Sequence, residues 1–215
     1  TGAGGVMQGR RIVIVGPLPP PAGGMANQTR QLAELLAREG ARVEVLQVNA
    51  PYLPAWVGRV KGLRALARLL PYLLRLAGAA RRAELFHVMA NSGLAWHLFA
   101  APAVWIARLW GVPVVVNYRG GLAGEFLARS ARSVRFTMRR AQELVVPSGF
   151  LKQVFADHGM ESTVVANIVD LERFSPGPDT APDAKGCHVV VARNLEPIYD
   201  NATGLRAFAI LAREM

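Results

Sequence analysis

A glycine pair near the start of the chain has the residue types and position of an anion-binding loop. In "VGPLPPPAGGMANQ", Gly23 and Gly24 follow an apolar run and precede a stretch with helical spacing. Glycines at a helix N-terminus let a phosphate approach the backbone N–H groups closely. The alternative is that the pair only permits a tight turn. The segment matches neither the GxGxxG dinucleotide motif nor the P-loop, which needs Lys followed by Ser or Thr.

A second glycine segment, "NYRGG", ends another apolar run. Here Arg119 is followed by Gly120 and Gly121, and a guanidinium beside accessible backbone N–H groups suits an anionic group. An ordinary loop with a solvated arginine is the other interpretation. We therefore treat Arg119, Gly120 and Gly121 as a candidate anion site.

The four histidines and the single cysteine do not have the spacing of a metal site. HExxH and similar sets are absent from the sequence, and Cys187 alone cannot form an intrachain disulfide. We expect no metal. His87 lies inside an apolar run and is either a hydrogen-bonded core histidine or a residue that faces a cleft from the end of a strand.

Alternating apolar and amphipathic segments must position these residues. The apolar runs are 11–16, 42–48, 84–89, 112–118, 143–148, 162–167 and 187–193, and helical spacing occurs near 24–39, 57–82, 95–110, 123–140 and 149–158. Short strands that are apolar on both faces, with helices between them, predict an α/β fold: a Rossmann-like, doubly wound parallel sheet with helices on both faces. Ligands bind such sheets at the carboxyl ends of the strands, where both glycine segments fall.

Composition divides the chain into four parts. Residues 1–10 are a glycine-rich leader, native or artificial, and 11–174 form the first domain. Prolines, glycines and aspartates make 175–186, "SPGPDTAPDAKG", a linker. Residues 187–215 then supply one strand and one helix, which cannot bury both of their faces. We expect them to begin a second domain in a longer protein.

The charge of the chain favours anionic partners. Its 25 Lys and Arg against 15 Asp and Glu give a net charge of +10. Nucleic acid is a poor candidate, because the aromatic residues interleaved with basic ones and the motifs of nucleic-acid-binding domains are missing. The charge is concentrated in 59–82, which contains no acidic residue.

The basic segment has two faces when drawn as a helix. One face carries a stripe about 60° wide made of Lys61, Arg64, Arg68 and Arg75, and the opposite side carries Leu63, Leu66, Leu70, Leu73 and Leu74. Either the stripe contacts an anionic membrane surface, or the leucines are core and the arginines are merely solvated. A second basic stretch, with Arg129, Arg132, Arg135, Arg139 and Arg140, extends the same surface in the first case.

The order of motifs from Arg11 onward resembles glycosyltransferase family 4 of the GT-B fold. The matching features are the strand, "GG" loop and helix at the start, "VPS" before a helix, "NIVD" three residues ahead of a Phe, and "VVVARNLEPIYDNATGLRAF". The resemblance implies two Rossmann-like domains, with the acceptor bound mainly by the first and a nucleotide-sugar by the second. It also implies sugar transfer to a glycan or lipid-linked acceptor with retention, without a metal or other cofactor.

The resemblance assigns roles to individual residues. Gly23 and Gly24 match the glycine loop that approaches the donor diphosphate and the acceptor. Asn167 and Asp170 match the hinge between the domains. Arg193 matches the arginine that helps to neutralise the diphosphate, a role that suits bidentate guanidinium–phosphate contacts. A cytoplasmic location, peripheral on the inner face of the membrane, is the corresponding expectation.

Two departures from the family pattern keep a second class of function open. The lysine that usually follows the diphosphate arginine is missing, with Tyr199 near its place, and Arg119 stands where a histidine is usual. No catalytic residue can be named, and the family's paired glutamates are expected beyond residue 215, so this chain is expected to be catalytically incomplete. The alternative is a non-catalytic binding or scaffold module with a degenerate transferase fold.

Overall fold

The computed structural model describes residues 5–21, 23–50, 63–175, 189–192 and 195–214, except for the side chains of 63–67, 198 and 214. The chain divides into two compact units, residues 1–169 and 170–215. The strands are β1 (Arg11–Gly16), β2 (Arg42–Gln47), β3 (Leu85–Ala90), β4 (Val114–Tyr118), β5 (Glu143–Val146) and β6 (Thr163–Val164). The helices of the first unit are α1 (Gly24–Arg38), α2 (Leu63–Ala80), α3 (Ala101–Leu109), α4 (Ala123–Met138) and α5 (Gly149–Ala156).

All six strands form one parallel sheet in the order β2-β1-β3-β4-β5-β6. The chain moves to one side of β1 to make β2, then crosses back to place β3 on the other side. The order therefore reverses at β1, and the crevice beyond the carboxyl ends of β1 and β3 is the usual ligand position in such sheets. The predicted doubly wound α/β architecture is confirmed.

Alternate residues of β1 and β3 serve two hydrophobic layers. Ile12 and Ile14 face α1, together with Met89. Val13 and Val15 face the other way and join the larger core with α2, α3, α4 and α5. Helices thus cover both faces of the sheet, which explains why the strands are apolar on both sides.

Gly16, at the end of β1, lets α1 pack close to the sheet. A Cβ at this position would lie 2.8 Å from Thr29 Oγ1 and 3.0 Å from Met89 Cβ. Thr29 is fully buried on α1 and donates its hydroxyl to the carbonyl of Met25 at 2.9 Å. This contact brings the first turn of α1 to the carboxyl edge of the sheet.

The second unit contains a 3₁₀ turn, Pro197–Tyr199, and helix α6, Asn201–Glu214. Residues 189–192 have no assigned secondary structure, so the predicted strand at 187–193 stays a prediction. Most of the predicted linker lies outside the described residues, as do Lys61 and Arg193. Within the described part of the chain, no helix has the length and apolar character needed to span a membrane.

Candidate functional site

Arg119 is the centre of a polar network at the carboxyl edge of the sheet. It follows β4 directly, and its Nε donates to Asn117 Oδ1 at 2.9 Å. Its Nη1 donates to Gln28 Oε1 at 3.3 Å and also to Asn167 Oδ1. Three side-chain amides, from β4, from α1 and from the segment after β6, therefore orient one guanidinium.

The charge of Arg119 is not balanced by an acidic partner among the described residues. All of its side-chain hydrogen bonds go to neutral amide oxygens, and the ion pairs of the described chain involve other arginines. Partial burial lowers the pKa of Arg119, but an arginine side chain stays protonated in proteins. The site thus presents a half-buried cation that can bind an anion.

The network continues from Arg119 through Asn117 to His87. Asn117 is buried, and its Nδ2 donates to His87 Nε2 at 3.1 Å. Because Nε2 accepts this hydrogen bond, the proton of the neutral imidazole is on Nδ1. Burial, and secondarily the charge of Arg119, lowers the pKa of His87 to about 4. His87 is therefore a half-buried, hydrogen-bonded histidine that also supports the site.

The loop that carries Arg119 is fixed to the loop that follows β3. Ser92 Oγ donates to the carbonyl of Gly121 at 2.5 Å and lies 2.7 Å from the Tyr118 hydroxyl. Since the serine hydroxyl has a single hydrogen, Tyr118 is the donor to Ser92. Tyr118 is fully buried, and burial raises its pKa.

Gly120 fits between these two loops only because it lacks a side chain. A Cβ there would lie 2.5 Å from Ser92 Oγ, 2.6 Å from Ser92 N and 2.8 Å from Asn91 Oδ1. Gly121 has open space at the same position. Of the two glycines in the candidate anion site, Gly120 has a packing role. The carbonyl of Gly121 accepts a hydrogen bond from the Ser92 hydroxyl.

The glycine pair lies at the start of α1, on the same edge of the sheet. Gly23 precedes the helix with extended backbone, φ −163° and ψ 159°, and makes no side-chain cap. Both glycines are exposed, and a Cβ at either would meet open space. The first N–H groups of the helix are therefore accessible from solvent. Gln28, one turn after Gly24, connects this helix end to Arg119.

Among the described residues, no group of three or more His, Cys, Asp or Glu side chains is placed to hold a metal ion.

A model of the family described as Glycosyltransferase Family 4 matches residues 22–173, well over half of the chain. The chain belongs to glycosyltransferase family 4. No curated protein matches it. This match confirms the resemblance to glycosyltransferase family 4 and agrees with a first domain of the GT-B type. The matched segment contains α1, β2 to β6 and every member of the Arg119 network.

The predicted site residues are only partly brought together. Gly23, Gly24, Arg119 and Asn167 share the carboxyl edge of the sheet through Gln28. Asp170 belongs to the second unit, where its Oδ1 accepts from the backbone N–H groups of Glu172 and Arg173, at 3.1 Å each. Arg193 lies outside the described residues, and its role stays a prediction.

The described part of the basic segment forms one helix, α2, that continues through Pro71. Its burial agrees only in part with the alternative in which the leucines are core and the arginines are solvated. Leu70 is 52% exposed and Leu74 is 66% exposed. Leu73 packs against the core, as do Leu69 and the buried Tyr72, Leu76, Ala79 and Ala80. Arg68 is half-buried and donates to the carbonyl of Ala50 at 3.1 Å, and Arg75 is exposed. Lys61 and the side chain of Arg64 lie outside the part of the chain that the structure describes.

Sequence reasoning missed Gln28, Asn117, Ser92 and Tyr118 as members of the site. Asn117 and Tyr118 immediately precede Arg119, and Gln28 follows Gly24 by one helical turn. The sequence signal is therefore the presence of amide or hydroxyl side chains next to each predicted anion-binding residue.

Proposed function

We propose that the protein transfers a sugar from a nucleotide-sugar to a glycan or lipid-linked acceptor, and that Arg119 binds an anionic group of that acceptor. The observation that carries the proposal is the half-buried guanidinium held by three neutral amides, without an acidic partner among the described residues. Because these amides take the Nε hydrogen and both Nη1 hydrogens, Nη2 is the group that donates to an anion. Membership of a glycosyltransferase family supports sugar transfer as the reaction.

In the proposed reaction, an acceptor hydroxyl oxygen forms a bond to the anomeric carbon of the sugar. The bond between that carbon and the diphosphate oxygen breaks, and the diphosphate leaves with the electron pair. The departing phosphate takes the proton of the acceptor hydroxyl, so retention needs no separate protein base. The exposed start of α1 at Gly23 and Gly24 stabilises the leaving charge with its backbone N–H groups and helix dipole. The family resemblance supports a role for Arg193 in neutralising diphosphate charge, and the reaction is proposed to need no metal or other cofactor.

The decisive experiment separates a transferase from a non-catalytic scaffold. Protein expressed from the complete gene is screened against UDP-, GDP- and ADP-sugars by thermal shift, and the nucleotide-sugar that stabilises it is incubated with a lipid and glycan extract. A transferase releases the nucleoside diphosphate and labels an acceptor from the extract. Stabilisation by a nucleotide-sugar without release of nucleoside diphosphate would support the scaffold instead.

We also propose that α2 contacts an anionic membrane surface, which would place the protein on the inner face of the cytoplasmic membrane. The supporting observation is that Leu70 and Leu74, one turn apart, are exposed beside the exposed Arg75. An apolar ridge flanked by a cation is typical of a helix that lies in the lipid interface. The net charge of +10 adds attraction toward anionic lipid.

Vesicle co-sedimentation tests the membrane proposal. Replacing both Leu70 and Leu74 by Gln should weaken binding to vesicles with anionic lipid at least tenfold, because inserted leucines contribute about 1.5–3 kcal/mol each when fully buried. Arg75→Gln should weaken it about fivefold, from ~1 kcal/mol of surface attraction. Leu109→Gln is the matched control, since Leu109 is 75% exposed on a different helix. Equal binding by all variants, or none by the wild type, would contradict the proposal.

A further inference from the structure

The side-chain amide of Gln28, on α1, makes hydrogen bonds to three other residues. Its Nε2 donates to the carbonyl of Ile168 at 2.9 Å, and its Oε1 accepts from the N–H of Ile168, also at 2.9 Å. The amide group thus pairs with both backbone groups of one residue, as a neighbouring strand would. Nε2 also reaches Gln31 Oε1 at 3.1 Å, one turn further along α1.

The segment that Gln28 holds is the last part of the first unit. β6 ends at Val164, and the division between the units falls after Val169. Between these points, Asn167 is bound by Arg119 and Ile168 by Gln28. Two side chains at the carboxyl edge of the sheet therefore fix the place from which the chain leaves for the second unit.

The same Gln28 oxygen that accepts from Ile168 also accepts from Arg119 Nη1, at 3.3 Å. One carbonyl group is thus shared by the connecting segment and by the only charged side chain in the network described above. A change at Gln28 removes support from both at once. Because neither contact involves an acid, the positive charge of Arg119 stays available to a ligand.

We propose that Gln28 is a positioning residue for the transfer reaction: its amide couples the orientation of Arg119 to the departure point of the interdomain segment. The relevance to transfer rests on the proposed function, whereas the coupling itself concerns contacts within the first unit. Gln28 does not react with substrate. It holds the anion-binding guanidinium and residues 167–168 in one arrangement.

The test uses two substitutions with opposite chemistry in the full chain. Gln28→Met keeps the length of the side chain but removes every hydrogen bond, so the Ile168 amide should exchange with deuterium at least tenfold faster. Gln28→Glu keeps an acceptor for the Ile168 N–H but neutralises Arg119 with a carboxylate. In that variant, Ile168 should remain protected relative to Gln28→Met, while the NMR shift that inorganic pyrophosphate induces at Arg119 Nε should be lost.

Gln153→Met is the control, because Gln153 donates to Asp157 on the exposed surface of α5. It should change neither the exchange of Ile168 nor the response of Arg119. Gln28→Ala repeats the exchange measurement if the methionine variant does not fold. Unchanged protection of Ile168 in a folded Met or Ala variant, or a full pyrophosphate response in Gln28→Glu, would overturn the proposal. These readouts need no turnover, so they can succeed or fail independently of sugar transfer.

In the transfer assay, Gln28→Met should lower kcat/KM by tenfold or more while the variant stays folded, with a melting temperature lowered by the loss of these hydrogen bonds. Asn keeps the amide group but is too short to reach Ile168. The activity of Gln28→Asn should therefore be as low as that of Gln28→Met. Recovery of full activity in Gln28→Asn would show that an amide at this place is sufficient, and would contradict the role of the Ile168 contact.

Discussion

The arginines at the two edges of the sheet have different hydrogen-bond and charge partners. At the amino edge, Arg10 and Arg11 pair with Glu84 at 2.9 Å and 3.5 Å, and the side chains are well exposed. At the carboxyl edge, Arg119 is half-buried and is held by amide oxygens alone. Surface ion pairs are screened by water and contribute little. The amino edge thus neutralises its charge with Glu84, whereas Arg119 at the carboxyl edge has no acidic partner among the described residues, as the proposed anion site requires.

The amino edge also has a cavity, whose lining is of mixed charge. A volume of 770 Å³ is enclosed by the ends of α4 and α5 and by the starts of β5 and β6. Its walls include three cations and two acids: Arg135, Arg139, Lys152, Glu143 and Glu161. Helix C-termini carry partial negative charge, which the basic residues there complement. The chemistry of the lining, more than its volume, therefore favours the carboxyl edge for an anion.

The largest expected effect at the carboxyl edge concerns His87 and pH. Because its folded-state pKa of about 4 is below the unfolded value of about 6.5, the unfolded chain binds the proton more readily. The free energy of unfolding should fall as the pH drops from about 6.5 to about 4, by up to about 3 kcal/mol from this residue.

Denaturant unfolding of the wild type and His87→Gln at several pH values measures this contribution. The variant should lose stability less steeply in the acid range, with the exposed His97→Gln as the control for removing a histidine elsewhere. Parallel pH profiles for the wild type and His87→Gln would show that His87 is not held neutral by its surroundings.

The next effect concerns the contact between the two loops. Gly120→Ala places a Cβ against Ser92 N and should lower the free energy of unfolding by about 2 kcal/mol, because backbone atoms cannot move aside cheaply. Gly121→Ala has open space and should change stability little. Equal melting temperatures for the two variants would mean that the loops are not packed as described.

Gly24→Ala should affect activity and leave stability intact. A Cβ there meets no atom of the chain within 4 Å, so the melting temperature should not change. If a phosphate approaches the backbone at this point, the added methyl obstructs it, and turnover by the complete protein should fall at least tenfold. Wild-type turnover in Gly24→Ala would mean that the glycine pair only permits a tight turn.

The smallest effect is expected at the amino edge. The hydrogen bond from Arg10 is the main reason that the pKa of Glu84 is lowered. Glu84→Gln removes the ion pairs with Arg10 and Arg11, and thermal melts should barely distinguish it from the wild type, since the pairs are solvent-screened. A large loss of stability would mean that the two edges do not differ in the way described.

The periodicity of the sequence was sufficient to predict the sheet and its helices, but not every boundary. The predicted strand 162–167 shortens to Thr163–Val164, because Asn167 and Ile168 bind Arg119 and Gln28 in place of a neighbouring strand. The predicted helix 95–110 begins as a π-helical turn, Trp96–Ala100. Such details depend on contacts between residues far apart in the sequence, which periodicity does not record.

The candidate site shows the same limit. Arg119 is predictable because two glycines follow it, and the glycine pair because it lies between a strand and a helix. The partners of Arg119 are 91 residues away at Gln28 and 48 residues away at Asn167. They meet only because the strand order places α1, β4 and the end of β6 along one edge. Likewise, helical spacing separated leucines from arginines on α2 but did not show which side the core would cover.

The central claim is that the carboxyl edge of the sheet binds an anion through Arg119. An NMR titration of the chain with inorganic pyrophosphate, observing Arg119 Nε and the backbone amides of Gly24 and Met25, tests it most directly. We expect saturable shifts at these three groups. The shifts of Gly24 and Met25 should be lost in Arg119→Met but kept in Arg129→Met, which changes an exposed arginine on α4. Shifts spread evenly over the surface arginines, or no response at Arg119 Nε, would contradict the account.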